Sequence, residues 1–192
     1  MDSDAATPAT TTASRTITIE AFADTILPGE KRSAGDRAVA GAVPGPGAVA
    51  AGAVELLEHP GGGLAPALDT LADGLNGHAA DYAAANGLRL DGDVAPFVAL
   101  TFEHRTALVQ SLVAPGHPEK QMWVGLALFS YMAFDSAAHL STAQALADGH
   151  PGLRWLGLRH PEPDGLFRFP RYSYGRRLAE PHPGTTRTGS PS

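Results

Sequence analysis

The sequence predicts an all-α fold: a single helical domain of about five helices, with a central antiparallel helix pair and a long irregular C-terminal strap. Three stretches carry that expectation. Within Gln121–Asp148, the run from Met122 to Phe134 has no charge, and its only polar side chains are Ser130 and Tyr131. Such a run is expected to be a helix that is apolar nearly all round and buried on most sides. Leu64, Leu68, Leu71 and Leu75 recur at four, three and four, a helical stripe. In Phe97–Ala114, steps of about 100° put Phe97, Leu108 and Leu112 on one side, with Phe102, Val109 and Val113 beside them. The chain has 192 residues and is 43% hydrophobic, enough for one proper core.

In chain order, residues 1–14 are Ala, Thr, Ser and Pro without periodicity and are expected to be disordered. Thr16 or Thr18 can cap a short helix with Ile19, Phe22, Ala23 and Ile26 on one stripe, preferred over a short strand at Arg15–Ile19. Pro28 and Gly29 stop it, and Gly29–Gly47 reads as a surface loop. A second helix over Ala48–His59 turns Val54, Leu56 and Leu57 inward and ends at Pro60. The leucine-stripe helix follows, weakened at Gly74 and Gly77, with His78–Asn86 continuing it after a kink. Asn86-Gly87 and Asp91-Gly92 mark a loop up to Pro96. Pro115–Lys120 is short enough to make Phe97–Ala114 pack antiparallel on the next helix. Beyond Gly149 no period persists, yet Trp155, Phe167, Phe169, Tyr172 and Tyr174 remain, which suits an ordered strap. The domain is thus expected over residues 15–179, with a loose tail at 180–192.

Charge and composition narrow the function. The net charge is −6 without a long basic cluster, so nucleic acid and anionic membrane are not expected partners. The chain contains no cysteine, which excludes disulfides, thiolate metal sites and cysteine nucleophiles. The uncharged run is too short for a span of about 20 residues. The polar, acidic start lacks an apolar core and a twin arginine, so a cytoplasmic location is expected. Phosphate-cradling motifs of the G-x-G-x-x-G and G-x-x-x-x-G-K-[ST] kinds are absent. No cofactor is expected in this chain.

The sharpest chemical feature is Asp135 with His139, four apart and so on one face of the expected helix. They could act as a general base with its orienting carboxylate, or form a polar network in which Asp135 neutralises the inward Arg105. A metal would need further ligands, and Glu103 and His104 point about 100° apart, so no metal site is assigned. Tyr131, Asp135, His139 and Thr142 would form a polar ladder. As an enzyme, the chain would use His139 as acid–base and Asp135 to orient it, with Tyr131, His104 and Arg105 lining a pocket for a small molecule. In the strap, Phe167, Phe169, Arg171, Tyr172 and Tyr174 mix aromatic and arginine side chains as partner interfaces do.

The opening helix AFADTILPGE resembles the start of the gluconate 2-dehydrogenase subunit 3 family, and the layout of Phe97–Ala114 and Met122–Leu140 is similar to that family's. The likeness runs over roughly residues 16–180, and PEPDGLFRFPRYSYGRRLA looks like an actinobacterial branch of unassigned function. The resemblance implies a small accessory subunit of a flavin-dependent oxidoreductase of the glucose–methanol–choline class, here acting on specialised metabolites. In that arrangement the large partner holds the FAD. This chain departs from the family by lacking the twin-arginine leader of exported members, and its strap differs. The resemblance brings no catalytic motif to this chain.

Overall fold

Helix α1 (Pro8–Ile26) is the element on which most of the others pack. The computed structural model describes residues 8–158 and 183–186. Along α1, Ile19, Phe22 and Ala23 are buried, as the stripe implies, and the Phe22 ring lies 6.4 Å from Phe97 and 6.2 Å from Trp123. The helix reaches back to Pro8, into a stretch expected to lack structure. Thr18 is therefore inside the helix and not its cap. Its hydroxyl donates to the Ser14 carbonyl at 2.9 Å and accepts from Asn76 Nδ2 at 3.3 Å. Arg15 adds ion pairs to Glu58 and Asp69.

Next come α2 (Ala53–Glu58), two 3-10 turns at Pro60–Gly62 and Ala65–Ala67, and α3 (Leu68–Ala85). The leucine stripe does what its spacing implies: Leu68, Leu71 and Leu75 are buried, with Leu64 packed against them. α3 runs on through Gly74 and Gly77 as one continuous helix. The expected Phe97–Ala114 helix is instead two, α4 (Pro96–Ala99) and α5 (Phe102–Leu112). Leu100 is extended at φ −66°, ψ 145°, and Thr101 caps α5 by accepting from the His104 N–H.

Gln121–Asp148 also divides, into α6 (Lys120–Asp135) and α7 (Thr142–Ala147), and α8 (Pro151–Trp155) follows. α6 packs on α1, α2, α5 and α8 through Trp123, Leu126, Ser130, Ala133 and Phe134. Its opposite side is open. The helix is apolar all round, but it is not buried on most sides. Hence α1, which touches α2 through α6, sits at the centre of the core rather than the α5–α6 pair.

The fold is all-α, with eight α-helices and no strand among the described residues. These helices all lie in the unit Met1–Arg159; the chain from His160 to Ser192 forms a second unit, in which the described residues make a turn at 183–184. The strap residues Phe167, Phe169, Arg171, Tyr172 and Tyr174 lie outside the described residues. No described helix is long and apolar enough to cross a membrane.

Candidate functional site

Asp135 and His139 do not share a helical face, because α6 ends at Asp135. The chain then turns: Ser136 Oγ donates to the Met132 carbonyl at 2.8 Å, and buried Ala137 takes a left-handed conformation at φ 49°. His139 lies in this turn, and Thr142 belongs to the next helix, so the four-residue polar ladder does not form. Asp135 Oδ1 and His139 Nδ1 are both buried, and neither has a hydrogen-bond partner. Two buried polar atoms left this way are costly, which makes the turn a genuine candidate site.

Backbone glycine makes room for the His139 ring. A Cβ on Gly52, whose φ is +84°, would stand 2.7 Å from His139 Nε2. The His150 ring centre is 5.9 Å away. His150 Nε2 donates to the Ala51 carbonyl at 2.9 Å, while its Nδ1 accepts from the Leu153 N–H at the start of α8. Burial holds the His139 pKa below the usual imidazole value; the neighbouring His150 and His59 push the same way, and Glu55 opposes them. His139 is thus kept as a neutral imidazole, able to accept or donate a proton but poor at holding a charge.

Arg105 does not join this group. Its guanidinium is buried and donates to four carbonyls: Phe97 at 3.1 Å, Ala38 at 2.6 Å, Arg37 at 2.9 Å and Val98 at 2.6 Å. The Val98 carbonyl is free to accept because α4 stops there, while the Phe97 carbonyl takes the Arg105 Nε–H in addition to the Leu100 N–H at 3.3 Å. Arg105 therefore staples the 37–38 segment to the α4–α5 break, with the charge of Asp24 and Asp36 nearby in place of Asp135. The Gly29–Gly47 stretch is accordingly more than a surface loop: Asp36, Ala38 and Val39 are buried. Asp36 is held at a pKa of about 2, chiefly by its hydrogen bond from Arg32.

His104 lies elsewhere, on α5 against α3, with Nδ1 3.1 Å from the Tyr82 hydroxyl. Tyr131 points outward from α6. The five residues expected to form one site are thus spread over four environments. Among the described residues no group of three His, Asp or Glu side chains is placed to hold a metal ion.

Two surface features had no sequence signal strong enough to mark them. One is the outer side of α6, where Met122, Val124, Leu128 and Tyr131 are exposed by 42%, 38%, 54% and 45%. Val124, Leu128 and Tyr131 recur at four and three and so form a continuous ridge. The other is a groove of about 660 Å³ beside α8, on which neither Asp135 nor His139 lies.

The fold and its surfaces define an all-α protein with an open apolar helix and a half-buried histidine–carboxylate turn. The chain belongs to a family of unknown function (DUF5987), whose model matches residues 13–192. No curated protein and no solved structure matches it.

Proposed function

We propose that this chain is a non-catalytic accessory subunit that docks a larger flavin-dependent oxidoreductase of the glucose–methanol–choline class in the cytoplasm, through the outer side of α6. The observation that carries the docking is the exposed ridge of Val124, Leu128 and Tyr131 on an otherwise apolar helix. A soluble helix normally turns charged or polar residues to water, so an apolar ridge of this kind marks a surface that a partner covers. The flavoprotein identity of the partner rests on the resemblance of AFADTILPGE and the helix layout; FAD belongs to that partner.

A second reading is favoured by the orphaned Asp135 Oδ1 and His139 Nδ1. In it the chain is a tailoring enzyme without an organic cofactor, and His139 moves a proton; Asp135, which makes no hydrogen bond to His139 here, would have to turn toward it to orient it. Tyr131, His104 and Arg105 play no part in that version, since they face other surroundings.

Tagged wild type, Leu128→Glu and His139→Ala, purified from the native host, separate the two. The accessory reading expects a flavin-bearing protein in near-equal amount with wild type and His139→Ala. It expects little with Leu128→Glu, because a carboxylate would be desolvated at the contact. Wild type eluting alone and folded would overturn it. Turnover that disappears in folded His139→Ala would establish the enzyme reading instead.

A further inference from the structure

The groove beside α8 is lined by Glu30, Lys31 and Arg32, by Pro46 and Ala50, and by Arg154 and Trp155. Its volume of about 660 Å³ is in the range of small-molecule sites. Three of its long side chains are seated on glycines of positive φ. The Trp155 ring rests on Gly45 (φ +88°), where a Cβ would stand 2.7 Å from ring carbons. The Lys31 stem crosses Gly41 (φ +71°), with its Cγ 2.9 Å from such a Cβ. The Arg154 stem lies against Gly149 (φ +68°), 3.3 Å from the corresponding position. Close packing on bare backbone limits where each side chain can go, and the bond from His150 to Ala51 anchors α8 to the same segment.

The charges of the groove point one way. Arg32 is already engaged by Glu20 and Asp36. Lys31 and Arg154 have no acidic partner among the described residues, and Glu30 is the one carboxylate on the wall. Trp155 is 62% exposed: the benzo carbons of its indole pack on Gly45, and much of the ring remains open where it lines the groove.

We propose that this groove binds a small organic anion with a flat apolar body, stacked on Trp155 and held at its charged end by Lys31 and Arg154. An exposed indole and two cations without acidic partners lining one ligand-sized concavity suit that chemistry, and Arg154 can take a carboxylate or phosphate through two parallel N–H bonds. The site is independent of the accessory role and of the Asp135–His139 turn.

The full chain is titrated with 2-naphthoate, 2-naphthyl phosphate and neutral 2-naphthalenemethanol, and the indole N–H signals are followed by NMR. The chain has two tryptophans, and Trp123 is fully buried, so its signal reports the fold while that of Trp155 reports the groove. Trp155→Phe assigns the second signal. Saturable movement of the Trp155 signal with either anion is expected, and the tighter of the two identifies carboxylate or phosphate as the source. The neutral analogue, and Lys31→Ala/Arg154→Ala with either anion, should bind at least about tenfold more weakly. Gly45→Ala, which displaces the ring, should weaken binding while leaving the Trp123 signal in place. The proposal fails if neither anion saturates, if the neutral analogue binds equally well, or if the double variant is unchanged.

Discussion

Gly152 and Phe134 meet backbone to backbone: a Cβ at 152 would stand 2.1 Å from the Phe134 carbonyl oxygen. This contact brings the start of α8 onto the end of α6, and it places Leu153 beside Ala137 and Ala145 in a small buried cluster. Gly152→Ala should therefore push α8 off α6 and destabilise the chain by about 2 kcal/mol or more, as overpacking against rigid backbone does. Urea unfolding checks this. A midpoint within error of wild type would show that the contact carries no stability.

Arg105→Met should cost about 3–5 kcal/mol, because it leaves the buried carbonyls of Ala38 and Val98 without their donor and removes one of the two donors to Phe97. Arg105→Lys should recover only part of this, since a single ammonium cannot reach four carbonyls spread over two segments. Thermal unfolding of the three chains should rank them wild type, Lys, Met.

Histidine 139 has a folded pKa below its unfolded value near 6.5, so the unfolded chain binds the proton more readily. Its contribution is present above pH 6.5 and is lost as pH falls toward the depressed folded value. The stability difference between wild type and His139→Gln should shrink in that window. Asp36 acts lower down: its contribution is present above 3.8 and lost as pH falls to about 2. Melting curves of wild type, His139→Gln and Asp36→Asn between pH 8 and 2 would resolve the two steps.

Gly77 lies inside α3 with open space where a Cβ would go. Gly77→Ala should raise stability by about 0.5–1 kcal/mol through helix propensity alone. Its midpoint in urea should move opposite to that of Gly152→Ala.

Periodicity is a local property, and it was legible. The α1 stripe and the leucines of α3 face the core because side chains three and four apart share a helical side wherever the helix packs. Local cues for the two breaks were present as well: Thr101 stands as an N-cap, and Ser141 followed three residues later by Gln144 has the form of a capping box. With no proline or glycine between Asp135 and Ser141, the apolar run outweighed them.

The sequence by itself determined an all-α chain, the stripes that build its core, and the absence of cysteine chemistry. Tertiary structure decided where the helices stop, what Arg105 binds, and which side of α6 meets water. The physical reason is distance along the chain. Arg105 finds its acceptors at Arg37 and Ala38, His139 takes its place over Gly52, and Trp155 rests on Gly45. These contacts join segments with no shared spacing, so only the folded chain brings them together.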